Sequence, residues 1–396
     1  MMKTAIKKLN ILILNYEYPP VGGGAGTISH FHASHLAMRN HTVTLLTVSE
    51  NNQLQIINKS KYFKIIKLPS KRKHLYQSGI FEKISWMQHA KKYLCTVDDT
   101  KYDICMAHFS IPGGWVAKQL KKKNNTPYVI ISHGQDIPWF YPKQMFFYHI
   151  LTAYAIKNIL KHSERLFVQS EMMYNNAIGF IKKDFRKVAL IPNGCDDTLF
   201  KISPLKYRNR SLLKLLFVGR LTKQKRPEML IHICHYLRTQ HIKYHLKICG
   251  NGPMKKKLDA LVKKYKLTDQ ISFTGWVTNE KVRAMYDDSH ILLAPSEAEG
   301  MSITVLEALF SGLYVITTAV SGNPDLLKDS NLGCIVENNK YAFTDAIKRY
   351  IKNNYTAQQI EEWRNKLVED YSWENIIAQY EKNLYDILEN YSTKYP

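Results

Sequence analysis

Glu299 and Glu307 stand close together in the stretch Ala294–Asp325, APSEAEGMSITVLEALFSGLYVITTAVSGNPD. Carboxylates accept charge-assisted hydrogen bonds strongly, so such a pair suits a ligand rich in hydroxyls. A short apolar strand, Ile291–Leu293, and Pro295 come before it, and a helix-like run, Thr304–Phe310, comes after. Glu307 then falls in the first turns of the helix and Glu299 in the loop before it, so the two approach a ligand from different directions. In an open parallel sheet this junction is where ligands bind. Upstream, FVGRLTKQK (Phe217–Lys225) ends an apolar strand in Gly219 and delivers Arg220 and Lys225 near a helix start. Arginine's directional fork and lysine's point charge together suit a diphosphate. Two solvated surface cations are the plain alternative, against which the strand and the glycine weigh.

Weaker signals lie elsewhere. The run YPPVGGGAG (Tyr18–Gly26) follows the first strand and precedes a helix. Its glycines Gly22, Gly23 and Gly24 permit positive φ and close backbone approach, so amides could face an anion. It is neither the dinucleotide fingerprint, whose third glycine is replaced by Thr27, nor a P-loop. A flexible turn explains it nearly as well. His133, in SHGQD (Ser132–Asp136), ends a strand and precedes a glycine, which favours an active-site role over a structural one. The runs ICGNGP (Ile248–Pro253) and ISFTG (Ile271–Gly275) each read alone as a turn after a strand.

The elements that must position these residues alternate between apolar runs and helical stretches, which predicts an α/β chain with mostly parallel sheets. Strands are predicted at Leu9–Leu14, Thr42–Thr47, Phe63–Lys67, Ile104–His108, Tyr128–Ser132, Arg165–Val168 and Val188–Ile191. A second set follows at Leu213–Val218, His245–Ile248, Ile271–Thr274, Ile291–Leu293 and Tyr314–Thr317. The polar stretch Lys201–Arg210, with Pro204, is the linker candidate. It divides residues 1–203 from 204–372, and residues 373–396 carry helical apolar spacing that must dock somewhere.

A chain of 396 residues with 45% hydrophobic content can build such cores. No stretch reaches the roughly 18 apolar residues of a spanning helix. The opening MMKTAIKKLNILILN imitates a signal peptide, but a first β-strand is the better reading. Six scattered cysteines without a Cys-x-x-Cys pair argue against a zinc site or disulfide framework and fit a reducing cytosol, where they serve as small core residues. The formal charge is +23, and residues 1–205 hold 28 Lys/Arg against 12 Asp/Glu, a net of +16. That field favours an anionic partner, although solvated lysine-rich faces would give the same count. Nucleic acid ranks low, since no recognition motif accompanies the charge.

Read in order, YPPxxGG, SHGxD, IPNGxDxxxF (Ile191–Phe200), VGRLxxxK, GxGP, FxG, and PSxxEG followed by LEA (Leu306–Ala308) resemble the retaining glycosyltransferases of family 4. The resemblance spans about Leu9 to Trp373. It implies the GT-B fold, with two Rossmann-like domains facing across a cleft and a C-terminal helix crossing back onto the first. It further implies transfer of a hexose or N-acetylhexosamine from a UDP-, GDP- or ADP-sugar to a glycan or lipid-linked acceptor in surface polysaccharide or glycolipid synthesis. A GT-B sugar-nucleotide epimerase and a degenerate, basic binding protein are the alternatives.

Carried over by position, the resemblance places Gly22, Gly23 and Gly24 against the donor diphosphate, and Gly219, Arg220 and Lys225 where that diphosphate departs. Gly300, Met301 and Ser302 lead to the amides of Ile303, Thr304 and Val305 at a helix N-terminus. Glu307 would bind ribose, Glu299 the transferred sugar, opposite Arg220 and Lys225, and His133 would lie beside the reacting sugar. The base would rest near Gly275 and Val277. Arg220, Lys225, His133 and Glu299 would be the catalytic set, with no metal or other cofactor. Departures from the family pattern are Arg226 for glycine, Met301-Ser302 for Phe-Gly, Leu313 for proline and Asp325 for glutamate. Finally, PWFYPKQMFFY (Pro138–Tyr148) leads into a basic segment ending Lys157-Asn-Ile-Leu-Lys161. With Lys121–Lys123 it reads either as a peripheral face on the inner, anionic membrane surface of a cytoplasmic enzyme or as an aromatic core helix under the acceptor pocket.

Overall fold

A computed structural model describes residues 7–72, 78–202, 212–328, 330–353 and 355–394. The predicted linker therefore lies mostly outside the described residues. The chain forms two compact units, the first made of residues 1–193 and 376–396, the second of residues 194–375.

The first unit is built in the order β1 (Asn10–Leu14), α1 (Gly24–Met38), β2 (Thr42–Val48), β3 (Gln55–Ser60), β4 (Phe63–Leu68), α2 (Ile80–Lys92), β5 (Ile104–His108), α3 (Trp115–Asn124), β6 (Tyr128–Ile131), α4 (Pro142–His162), β7 (Arg165–Val168), α5 (Glu171–Ile181) and β8 (Val188–Leu190). Its eight strands order as β3-β4-β2-β1-β5-β6-β7-β8. All pair in parallel except β3, which runs antiparallel on β4. The central strands are apolar on both faces because helices cover both; Ile11 to Leu14 are wholly buried. Strand order reverses between β1 and β5, which opens a crevice at their C-terminal ends.

The second unit repeats the plan with β9 (Leu213–Val218), α6 (Pro227–Thr239), β10 (Tyr244–Cys249), α7 (Lys255–Lys264), β11 (Ile271–Gly275), α8 (Asn279–Asp287), β12 (Ile291–Ala294), α9 (Ile303–Phe310), β13 (Tyr314–Thr317), α10 (Asn323–Leu327), β14 (Gly333–Ile335), α11 (Lys340–Lys352) and α12 (Ala357–Tyr371). Its six parallel strands order as β11-β10-β9-β12-β13-β14, so the reversal lies between β9 and β12. Two strands escape the sequence reading. β3 is a polar, largely exposed edge strand, and β14 is three residues long; neither shows an apolar run. Of the six cysteines, all free, Cys95 and Cys334 are only half-buried and so are not core residues as expected.

The last helix, α13 (Trp373–Lys394), belongs to the first unit from Ile376 onward. Ile376, Ile377, Tyr380, Leu384 and Ile387 recur at helical spacing and are buried. Each contributes roughly 1.5–3 kcal/mol before entropy is counted. Tyr380 packs on Phe167 of β7 and on His32 of α1. Glu381 fixes the register: it accepts from Arg39 Nε at 2.9 Å and from His41 Nε2 at 2.8 Å, while His41 Nδ1 accepts from the Leu9 amide. Glu381→Ala would strand the buried His41 donor, while the partly exposed Arg39 could turn to water, and should destabilise the first unit by about 1–3 kcal/mol. A denaturation midpoint unchanged from wild type would show that the helix docks without this anchor.

Candidate functional site

In the second unit, the loops leaving β9, β10, β11 and β12 gather at the C-terminal edge of the sheet. Three are laddered together by backbone: the Gly219 amide donates to Cys249 O and the Gly250 amide to Gly275 O, each at 2.9 Å. Gly250 has φ +135°, and a Cβ there would lie 2.0 Å from Gly219 O. The glycine-rich turn after β10, weak as a sequence signal, is thus dictated by close approach of two loops. Gly275 has φ +69° with open space where a Cβ would point, and Val277 follows it half-buried.

At the reversal point the loops after β9 and β12 are tied by charge. Lys225 Nζ lies 2.7 Å from Glu299 Oε1. The two therefore belong to one unit and pair directly; they do not face each other as opposed groups. Glu299 is buried, and Ser296 Oγ donates to the same oxygen at 2.5 Å. Burial pushes the Glu299 carboxyl up, but the Lys225 ammonium and hydrogen bonds from Ser296 and Ser302 outweigh it and hold the group below the usual range. The Glu297 amide donates to Gln224 O at 2.8 Å, and Arg226 Nε sits 3.4 Å from Glu297. Arg226 has φ +46°, which explains the family preference for glycine here and costs roughly 1 kcal/mol. Arg220, at the end of β9, is exposed.

Glu307 is the fifth residue of α9 and lacks a cation partner among the described residues. The Tyr286 hydroxyl donates to its Oε2 at 2.9 Å, and Tyr286 is wholly buried against Phe200. The Ile191–Phe200 motif thus ends in a support for the residue that holds Glu307. Burial raises the Glu307 carboxyl to about 7, opposed only in part by the Tyr286 hydrogen bond. Ser302 precedes α9 but its side chain does not cap the helix, nor does any other. Gly300 is half-buried, Met301 and Ser302 are buried, and the amides of Ile303, Thr304 and Val305 begin the helix. Leu313 is buried and its amide donates to Ala308 O at 2.9 Å, a bond that the usual proline could not make. Asp325 stands in the first turn of α10.

The first unit holds Gly22–Gly24 after β1 and His133 after β6. The expected anion loop is already engaged: the Gly23 amide donates to Glu17 Oε2 at 2.9 Å, and Gly22, at φ +95°, packs against the Glu17 side chain. Sequence reasoning missed Glu17. It also missed His108, although His108 ends β5 just as His133 follows β6. His108 Nδ1 and His133 Nε2 are 2.9 Å apart with stacked rings, and His32 of α1 lies beyond, its ring 5.3 Å from that of His108. Burial keeps all three imidazoles neutral: it lowers His133 to about 4 and His32 to about 3, and holds His108 well below the ordinary imidazole range. Asp136 fastens this loop, accepting from Ser132 Oγ and the amides of His133 and Ser110. Among the described residues no group of three or more His, Cys, Asp or Glu is placed to hold a metal ion.

Two family models match, Glycosyltransferase Family 4 over residues 22–199 and Glycosyl transferases group 1 over residues 206–367. The chain belongs to the family 4, group 1 glycosyltransferases. A relative provisionally named the colanic acid biosynthesis glycosyltransferase WcaL, from Escherichia coli strain K12, is 26% identical over 291 residues, covering 68% of this chain and 67% of that one. Sucrose-phosphate synthase from Thermosynechococcus elongatus superposes with a TM-score of 0.81 at 19% identity, over 97% of this chain and 100% of that one. HepE of Anabaena, solved with UDP and glucose, gives 0.71 at 14% identity, over 96% and 100%. The fold of this glycosyltransferase is GT-B.

The raised Glu307 carboxyl fixes a sign. A carboxyl whose folded pKa is near 7 against an ordinary 4.5 adds stability that is full below pH 4.5 and lost as pH rises through 7. In the ligand-free enzyme, Glu307→Gln should therefore match wild type near pH 4.5 and exceed it above pH 7.5. The gain should be about 2 kcal/mol, discounted for the solvent that reaches a half-buried group. Unfolding midpoints across this range test it, and a pH-independent difference would show that the carboxyl is not desolvated.

Proposed function

We propose that this glycosyltransferase moves a hexose or N-acetylhexosamine from a UDP-, GDP- or ADP-sugar to a glycan or lipid-linked acceptor, with retention at the anomeric carbon. Its product would be a surface polysaccharide or glycolipid, assembled at the inner face of a membrane. The observation that carries the reading is the cationic edge of the second unit, where exposed Arg220, Glu299-anchored Lys225 and the uncapped start of α9 meet at the reversal of strand order. The relative named for colanic acid synthesis and the neighbour solved with UDP and glucose are consistent with it.

In this reading the sugar C1–O bond to the diphosphate breaks and leaves an oxocarbenium-like sugar and an anion. Arg220, Lys225 and the amides of Ile303–Val305 stabilise that anion, the largest protein contribution. The acceptor oxygen bonds to C1 on the same face, and its proton passes to the departing phosphate oxygen. Glu299 holds Lys225 in place and offers its remaining lone pairs to sugar hydroxyls. Glu307 binds ribose, Gly275–Val277 the base. His133, neutral and fixed by His108, meets the sugar as a hydrogen-bonding group and not as a cation. No metal is required, because protein cations supply the charge.

Arg220→Ala should lower turnover about 100-fold, the usual loss when one stabiliser of developing charge is removed. Glu307→Ala should raise the donor KM about 10- to 100-fold, the worth of a charged hydrogen bond. A thermal-shift screen across UDP-, GDP- and ADP-sugars comes first, since ligand bound only to the folded chain raises the midpoint. No shift with any of them would sink the reading. Donor isomerised without acceptor would replace it with an epimerase.

A further inference from the structure

The aromatic segment before Lys161 gives the core only one of its faces. α4 runs for 21 residues, about 31 Å at 1.5 Å per residue. Its inner face buries His149, Ile156, Ile159 and Leu160, so the helix is properly seated on its unit. Its outer face exposes Phe147 (81%), Ile150 (53%), Leu151 (83%) and Tyr154 (84%). Spacings of three and four residues put these on one stripe, and Lys157 and Lys161, both exposed, continue it. α4 contains no acidic residue. Soluble surfaces rarely leave so many large apolar side chains contiguous without a partner.

We propose that this stripe is a docking face for an anionic lipid surface. One plane laid along α4 meets the apolar turns first and the two lysines after them, the arrangement of an interfacial helix that sinks its apolar side chains and places cations among headgroups. Trp139 and Phe146, also exposed, add rings suited to the water–lipid boundary. The neighbouring helices end in further exposed cations, Lys122 and Lys123 on α3, and Lys182 and Lys183 after α5. Cations at helix C-termini also complement the helix dipole, but that does not account for the apolar turns. A protein partner would need polar groups to register against, and the four apolar tips of the stripe offer only the Tyr154 hydroxyl. No helix among the described residues is long and apolar enough to cross a membrane, so the contact is peripheral.

The position matters for the reaction. α4 follows β6, so its apolar end lies at the same strand edge of the unit as His133 and Gly22–Gly24. α2 starts at that edge too, exposing Ile80, Phe81 and Ile84. A lipid surface there would present headgroup-linked acceptors to the unit that carries these residues. This deepens the acceptor side of the proposed transferase, yet docking is measured without either substrate and fails or holds by itself.

The full chain should co-sediment with vesicles of phosphatidylcholine and phosphatidylglycerol at low salt, less at high salt, and not with phosphatidylcholine alone. Lys157→Gln with Lys161→Gln should weaken partitioning about 25-fold, near fivefold per cation. Phe147→Ser with Leu151→Ser should weaken it at least tenfold with an unchanged melting temperature, because both positions are exposed. Absence of binding at low salt, or binding that the stripe variants leave intact, would overturn the proposal. So would light scattering that shows a wild-type dimer dissolved by the same serine variants without vesicle binding, which would assign the face to a second copy of the chain.

Discussion

A carboxylate cannot be buried at a sheet edge without a counter-charge, and the second unit is arranged around that constraint at Glu299. The Lys225 ammonium supplies the charge at 2.7 Å, and Ser296 fills a second lone pair. To bring Lys225 there, the chain after β9 must turn sharply, which puts Arg226 in the left-handed region. The same turn leaves Arg220 at the strand end, facing solvent and unencumbered by the pair. One ion pair thus fixes two loops, tolerates a strained residue and separates an anchored cation from an exposed one. It lies at the reversal of strand order, so the same pair that ties the loops shapes that edge of the sheet.

Glu307 shows the converse. With only a tyrosine hydroxyl for support, its carboxyl is destabilised in the charged form, and burial raises it to about 7. The two glutamates share a residue type and a short stretch of chain, yet their surroundings push their affinities for a proton apart. That separation argues against reading them as an acid–nucleophile pair of the hydrolase kind. Glu299 is spoken for by Lys225, and Glu307 lies among Tyr286, Cys195 and Cys249, which couple to it electrostatically. In the first unit the same logic of burial keeps His32, His108 and His133 neutral, so that cluster adds no positive charge of its own.

Much of this was legible in the chain. Apolar runs buried on both faces announce parallel strands, and a glycine or a charged residue at the end of such a run marks the C-terminal edge of the sheet. The unread parts have physical causes. β3 needs only one hydrogen-bonding neighbour and no buried face, so its sequence carries no apolar run. The Lys225–Glu299 pair joins the loops after two strands that are far apart in the chain, and nothing local records that β9 and β12 become neighbours. Glu17 lies just outside the glycine run, and only the fold brings its carboxylate within reach of the Gly23 amide. The orientation of α4 was undecidable from composition, because aromatic residues with lysines fit a core helix or a surface one. In the fold it is both, with Ile156, Ile159 and Leu160 in the core and Phe147, Leu151 and Tyr154 exposed on the other side.

The departures from the family pattern follow from the same constraints. Arg226 accepts a strained backbone but reaches Glu297, so part of the cost is offset by an added link between the loops. Leu313 trades the stiffness of proline for a backbone hydrogen bond to Ala308 and a wholly buried side chain. Met301 is buried in the core beneath α9, where a flexible thioether can fill the space of a larger ring. Where the chain enters the second unit, Cys195 pairs with Ser372, near where the chain leaves it, and Phe200 then leans on Tyr286. The backbone crossing points and the hydroxyl that holds Glu307 are therefore one packed cluster. A substitution at Phe200 would reach Glu307 through Tyr286, which ties a motif remote from the carboxylates to one of them.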